Sequence, residues 1–160
     1  MSTSLLRLIP DSKIFIPDRT SQQEALKFLE ENYACDIECE EYDEVEFIDQ
    51  GENLETIICP NCKAENVMDF FAENDPFVEW WYEISEENQF PGNPIKMPCC
   101  GETIEPTNLS FKWPAGFARF ELCLNEPDQK NLQDGKLPQD HQSKLETILK
   151  CKLIQIRTQY

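Results

Sequence analysis

The stretch Phe117-Ala118-Arg119-Phe120-Glu121-Leu122-Cys123-Leu124 is the clearest strand in the sequence. Alternate side chains of a β-strand point to the same face. Every second position here is apolar, a set made up of Ala118, Phe120, Leu122 and Leu124. One face of this strand is therefore predicted to lie against a core.

The segments on either side of this strand predict two similar halves. Upstream, a strand is predicted over 5–9, a helix begins at the capping box Ser21-Gln22-Gln23-Glu24, and alternating patterns predict strands over 36–40 and 45–49. Downstream, a helix over 139–150 precedes a last strand over 153–157. Two β-α-β halves in one antiparallel sheet, with the helices on one face, predict an α+β, ferredoxin-like domain over residues 1–160.

Between the two halves the sequence predicts an insert over about 55–112. It holds a short helix with Asp75 as its cap and Pro76 at its first position. Four apolar residues of this helix follow the spacing i, i+3, i+4 and i+7: Phe77, Trp80, Trp81 and Ile84. This spacing places both tryptophans on one stripe and favours a core face over a binding site.

Two cysteine motifs in the insert indicate a metal site. Cys59-Pro60-Asn61-Cys62 is a CxxC motif, and Pro98-Cys99-Cys100-Gly101 follows, with 37 residues from Cys62 to Cys99. Zinc takes four ligands in a tetrahedron, and a two-residue spacer lets two thiolates converge on one ion. Pro and Gly favour the tight turns that this requires. The sequence therefore predicts a zinc ribbon, with a structural Zn²⁺ held by Cys59, Cys62, Cys99 and Cys100.

The second motif is irregular, which leaves alternatives open. A regular CxxCG knuckle would place its first cysteine at Met97. Either Cys99 and Cys100 both turn inward, or another donor replaces one of them. The cysteines could also be buried thiols in turns without a metal. A thioredoxin-like redox motif is less favoured, because the residues after Cys62 lead into a strand and not into a helix.

Four thiolates would close the zinc coordination shell, which favours a structural metal over a catalytic one. The only histidine, His141, lies 41 residues beyond Cys100, and the H-x-E partner of a zinc deaminase is missing. The remaining cysteines are predicted to be ordinary small residues without a second metal site: Cys35, Cys39, Cys123 and Cys151.

Charge limits the partners that the chain can bind. It has 31 acidic and 14 basic residues, a formal net charge of −17. Nucleic acids and anionic membranes attract basic surfaces, so neither is expected as a partner. Residues 28–95 hold 20 acidic residues and a single base, Lys63, a net charge of −19. This asymmetry predicts an acidic surface on which a basic protein partner docks.

The motifs together resemble a family of uncharacterised bacterial proteins. The likeness spans nearly the whole chain and is carried by Leu6 to Pro10, Cys59 to Cys62, Trp80-Trp81, Pro98 to Gly101, Trp113 to Phe120 and Leu153 to Tyr160. Family members are sometimes labelled as ATPases of sugar transporters. This chain contradicts that label, because it has neither a GxxxxGK[ST] nor a GxGxxG motif. The resemblance implies that the four insert cysteines belong together, but it brings no established activity.

Three functions are compatible with these features. The favoured one is a non-catalytic binding or adaptor module for a basic protein, for example one that neutralises a basic toxin. A hydrolytic enzyme that uses carboxylates is less favoured, because no acidic pair is marked by a neighbouring base, glycine turn or ligand cluster. A nucleic-acid-binding zinc ribbon is opposed by the charge. Apolar runs near the start are too short for an export signal or a spanning helix, so a cytoplasmic location is expected.

Overall fold

The structure is a computed structural model, and it describes residues 2–87, 90 and 92–160. It is a mixed α+β structure with antiparallel sheets. In chain order, the strands are β1 Ser4–Pro10, β2 Asp36–Ile48, β3 Thr56–Ile58, β4 Glu65–Val67, β5 Ile95–Lys96, β6 Thr103–Ile104, β7 Ser110–Phe111, β8 Gly116–Asn125 and β9 Leu153–Gln159. The α-helices are α1 Arg19–Asn32, α2 Pro76–Tyr82 and α3 Gln139–Leu149.

The strand predicted over 117–124 is β8, an inner strand of the main sheet. The strand order of this sheet is β2-β8-β1-β9, and all neighbours are antiparallel. Leu122 of β8 pairs with Leu8 of β1 on one side and with Cys39 of β2 on the other. The side chains of Phe120, Leu122 and Leu124 are completely buried, as their alternation predicts.

Helices α1 and α3 cover one face of the main sheet. Ala25 and Leu29 of α1, with Leu145 and Leu149 of α3, share one core with the inward residues of β1 and β8. Burial of these side chains is the main stabilising contribution, at about 1.5–3 kcal/mol for each large one. Both helices lie on this face because each follows one strand of the sheet and leads back into another.

Two local predictions are corrected by the structure. Helix α1 begins earlier than predicted: Asp18 is its cap, and its carboxylate accepts a hydrogen bond from the backbone N–H of Ser21 at 2.8 Å. The segments 36–40 and 45–49 are not separate strands but the two ends of β2. Strand β8 is long enough to pair with both ends, and the register shifts between Glu41 and Glu46.

The chain between β2 and β8, where the sequence predicts an insert, forms two further small sheets. Strands β4, β3 and β7 make a three-stranded sheet in that order, and β5 pairs with β6. Helix α2 has the predicted cap, since Asp75 accepts hydrogen bonds from the N–H groups of Phe77 and Val78. Trp81 and Ile84 lie in the core of the insert, which confirms the core interpretation of the helix stripe.

Aromatic side chains join the insert to the main sheet. Phe47 of β2 lies 5.3 Å from Phe117 of β8, between ring centroids, and 5.5 Å from Trp81 of α2. Phe90 and Phe111 of the insert lie 5.3 and 5.4 Å from Phe47. The insert core and the end of the main sheet are therefore one continuous apolar cluster.

A buried ion pair bridges β1 and β8. The guanidinium of Arg7 donates two hydrogen bonds to Glu121, at 2.8 and 2.9 Å, and their side chains are only 14% and 4% exposed. Tyr42 also donates its hydroxyl to Glu121. Burial disfavours the charged form of Arg7. The hydrogen bonds to Glu121 and the attraction of its negative charge outweigh this effect and raise the pKa of Arg7. Within the described residues, the structure has no helix that is long and apolar enough to cross a membrane.

Candidate metal centre

The four cysteines of the insert converge on one point. The sulfur atoms of Cys59, Cys62, Cys99 and Cys100 all lie within 4.8 Å of one another. The sulfurs of Cys62 and Cys99 are 3.4 Å apart, and those of Cys59 and Cys100 are 3.8 Å apart. Four sulfurs at about 2.3 Å from a tetrahedral Zn²⁺ would stand about 3.8 Å apart. A disulfide needs about 2.05 Å, so these distances match metal ligands and not bridged cysteines.

The first knuckle is a tight turn that follows β3. The N–H of Cys59 donates to the carbonyl of Ala64 at 3.0 Å, and the N–H of Lys63 donates to the carbonyl of Cys59 at 3.0 Å. Lys63 has a φ of 64°, in the left-handed region. This turn brings Cys62 back beside Cys59, and the N–H of Cys62 points at the sulfur of Cys59, 3.5 Å away.

The second knuckle has the same backbone pattern. The N–H of Met97 donates to the carbonyl of Glu102, and the N–H of Gly101 donates to the carbonyl of Met97, both at 2.9 Å. Gly101 has a φ of 75°, which favours glycine. Position by position, Met97 therefore takes the place of Cys59, and Cys100 takes the place of Cys62.

This match explains how the irregular motif supplies two sulfurs. The side chain of Met97 is completely buried in the insert core, where it acts as an apolar residue. Cys99 stands where the first knuckle has Asn61, and its sulfur joins the cluster from there. Both adjacent cysteines thus turn inward. In the part of the chain that the structure describes, no histidine or carboxylate joins these four sulfurs.

The protein's own groups prepare one of the sulfurs for ionisation. Burial opposes the ionisation of Cys59, but the backbone N–H groups of Cys62 and Asn61 outweigh it and lower the pKa of Cys59 to about 7. Burial and a hydrogen bond with Cys62 raise the pKa of Cys99 to about 12. A bound cation would favour the thiolate at every position, so metal binding would release protons.

Asn66 is a residue of the site that sequence reasoning missed. Its side chain is 1% exposed and donates to the carbonyls of Ile57 at 3.2 Å and Ala64 at 3.3 Å, so it holds β3 and the first knuckle together. The amide of Asn66 also works against the rise in the pKa of Cys99. Asn66 lies in β4, four residues after Cys62 and outside both cysteine motifs, so the cysteine spacing carries no signal for it.

The other cysteines lie outside the metal centre. Cys123 is buried in the main sheet, while Cys35, Cys39 and Cys151 pack against the core beneath α1 and α3. Burial raises the pKa of Cys123 to about 12 and that of Cys151 to about 11, which keeps both thiols protonated. These positions agree with the prediction that they are ordinary small residues.

Groups that would mark a catalytic site lie elsewhere. His141 is on α3, and its Nδ1 atom is 2.6 Å from the hydroxyl of Tyr33. The pKa of Asp18 is lowered by the N–H of Ser21, and that of Asp75 by the N–H of Asp69. Asp18 caps α1, and Asp75 caps α2 while it also accepts a hydrogen bond from the loop N–H of Asp69 at 3.0 Å, so both shifts reflect backbone hydrogen bonds.

Comparisons of the chain with protein-family models, with curated proteins and with solved structures found no match. The resemblance to a bacterial family therefore stays a prediction. The convergence of the four cysteines is the structural feature from which a function can be inferred.

Proposed function

We propose that the chain is a non-catalytic binding module, stabilised by a structural Zn²⁺, which recognises a basic protein partner. The zinc ligands in this proposal are Cys59, Cys62, Cys99 and Cys100. The observation that carries it is the convergence of their four sulfurs at separations that suit a tetrahedral ion. Thiolate sets of this kind select zinc or iron, and a closed shell of four leaves no position for a substrate.

The strand order supports a ferredoxin-like fold with an inserted zinc ribbon. Strands β1 and β2 both run antiparallel to β8, which lies between them, so β1-α1-β2 is a split β-α-β unit. Strands β8 and β9 likewise flank β1 and are joined through α3. Two interleaved units of this kind are the arrangement of ferredoxin-like domains. The insert places its two knuckles at the ends of short hairpins, as a zinc ribbon does.

Metal analysis of single variants tests the zinc proposal. The purified chain should contain one equivalent of zinc, and Cys99→Ser and Cys100→Ser should each lose it. Cys151→Ser is the matched control, because Cys151 packs beneath the helices and lies outside the cluster. If only one of the two variants, Cys99→Ser or Cys100→Ser, lost its zinc, three cysteines and another donor would hold the ion.

Chelation provides a second test. A structural zinc contributes its binding free energy to folding, so removal of the metal should lower the melting temperature. Thermal unfolding followed by circular dichroism, before and after verified zinc removal, measures this change. An unchanged melting temperature would show that the metal does not support the fold.

The exposed charge supports a basic protein as the partner. Strand β2 is an edge strand, and its seven acidic side chains are all exposed. Complementary charge speeds association and selects the partner. A basic toxin, such as a nuclease whose active site attracts phosphates, is one partner of this type. Capture of basic proteins that weakens with salt is expected, whereas salt-independent capture of neutral proteins would contradict the proposal.

A further inference from the structure

A groove of about 1010 Å³ opens beside the junction of the insert and the main sheet, away from the metal centre. One wall is formed by the loop after β4 and by α2, and the other by the turn after β2 and the residue that follows β9. The large apolar and aromatic residues of its lining are Leu54, Val67, Met68, Phe70, Phe71, Trp81, Tyr82 and Tyr160.

This groove gathers most of the exposed large hydrophobic side chains of the described residues. Seven large hydrophobic side chains are exposed among the described residues, and five of them line the groove. Phe71 is 100% exposed, and Tyr82 and Tyr160 are each 48% exposed. Single exposed apolar residues are common on protein surfaces, but a contiguous group of them marks a binding site.

The aromatic residues of the groove are held in place by specific contacts. The rings of Phe70 and Tyr82 meet edge to face, with centroids 6.2 Å apart. The N–H of Phe71 donates to the carboxylate of Asp69 at 3.0 Å, and the hydroxyl of Tyr160 donates to Asp49 at 2.7 Å. These contacts hold the side chains of Phe70, Tyr82 and Tyr160 and the backbone of Phe71, so a partner would meet a surface that is preformed apart from the exposed ring of Phe71.

The polar part of the lining is acidic. Three exposed carboxylates line the groove, those of Glu52, Glu55 and Asp69. No lysine or arginine lines it, and none of the three forms an ion pair within the described residues. An apolar groove with unneutralised acids along it complements a segment that is basic and carries apolar side chains.

We propose that this groove receives a basic, amphipathic segment of the partner protein. An apolar side chain of the segment would lie against Phe71 and Tyr160, and its lysines or arginines would face Glu52, Glu55 and Asp69. A cation over the face of Tyr82 adds a further favourable contact. An anionic membrane is a poor alternative, because the same carboxylates would repel its headgroups. The inference rests on the proposed function as a module for a basic protein, and it names the surface that performs this function.

A labelled model peptide tests the groove directly. The probe is a fluorescein-labelled, 18-residue amphipathic helix of leucine and lysine, and its binding to the zinc-loaded full chain is measured by fluorescence anisotropy. Phe71→Ser should raise the Kd about tenfold or more, as expected for an aromatic anchor. Because Phe71 is completely exposed, this change removes no core contact. Ile14→Ser is the matched control, since Ile14 is 67% exposed outside the groove, and it should leave the Kd within about twofold.

A second pair of variants separates the groove from the overall charge. Glu52→Gln/Glu55→Gln/Asp69→Asn removes three negative charges from the groove, and Glu24→Gln/Glu30→Gln/Glu31→Gln removes three from α1. Only the first triple variant should weaken binding by about tenfold. Equal weakening by both, or no effect of Phe71→Ser, would overturn the groove while leaving a basic partner possible elsewhere on the acidic surface. Failure of the unchanged chain to bind any basic peptide, or equal binding of a glutamate analogue of the probe, would overturn both proposals.

Discussion

Moving one sulfur from position 99 to position 97 tests the geometry of the second knuckle. The hydrogen bonds of Met97 and Gly101 repeat those of Cys59 and Lys63, so Met97 occupies the place of the first ligand in a regular knuckle. Cys99→Ser removes one of four thiolates. Met97→Cys supplies a sulfur where a regular knuckle has one. We therefore expect Met97→Cys/Cys99→Ser to bind zinc more tightly than Cys99→Ser alone.

The size of the effect follows from the number of ligands. Structural zinc in small domains binds with an apparent free energy of about 10–16 kcal/mol, so one ligand in four accounts for roughly 2.5–4 kcal/mol. Loss of Cys99 should then raise the Kd for zinc by about 100- to 1000-fold, and the double variant should recover most of this loss. Met97 is completely buried. Shortening it to cysteine should cost about 1–2 kcal/mol of folding free energy.

Affinity and stability must therefore be measured separately. Competition with a chromophoric chelator gives the zinc affinity, and urea unfolding of the zinc-loaded chain gives the stability. Met97→Cys/Cys100→Ser is the control. Cys100 corresponds to Cys62 of the first knuckle, so this variant lacks the second sulfur of a regular knuckle and should recover less zinc affinity. If Met97→Cys/Cys99→Ser bound zinc no more tightly than Cys99→Ser, the equivalence of the two knuckles would be refuted.

Two further predictions concern the rest of the fold. Glu121→Leu should destabilise the chain by up to about 3–5 kcal/mol, because it leaves the largely buried Arg7 with only the more distant carboxylate of Asp49, 3.8 Å away. Arg7→Met/Glu121→Leu should recover most of this loss in urea unfolding, and equal losses in both variants would contradict this. The pKa of Asp18 is lowered in the folded state by the N–H of Ser21, so its charge stabilises the fold above the unfolded-state pKa, and this stabilisation is lost as the pH falls through the folded-state value. The difference in unfolding free energy between the unchanged chain and Asp18→Asn should therefore shrink on acidification, and a difference that is constant with pH would show that the charge plays no part.

The main sheet could be predicted from sequence because its signals are local. The alternation around Phe120 and the apolar stripes of the two long helices each report which face is buried. The single strand β2 could not be predicted, since its middle residues are polar and its continuity comes from pairing with β8. The cap at Asp18 was also missed, because Ser21 offers an equally good capping pattern and only the path of the chain before the helix decides between them.

The cluster of four cysteines was predictable as a set of residues but not as a geometry. The CxxC spacing fixes how Cys59 and Cys62 meet, whereas the approach of Cys99 and Cys100 depends on the backbone of a turn that begins at Met97. The groove had no signal in the sequence. Phe71 and Tyr160 are far apart along the chain, and they line one groove because the turn after β2 pairs with the end of β9, where Gly51 bridges to Gln159.

The acidic edge strand has a consequence for the solubility of the chain. An edge strand offers unpaired backbone groups to any other strand, and proteins prevent such pairing with charged side chains and bulges. Strand β2 carries both, with seven exposed acids and a register shift between Glu41 and Glu46. Two copies would have to bring these carboxylates together in order to join edge to edge, so their repulsion opposes aggregation. Acidification or a tightly bound polycation would remove this protection, so the charge on β2 would keep copies of the chain apart only while its carboxylates stay ionised and accessible.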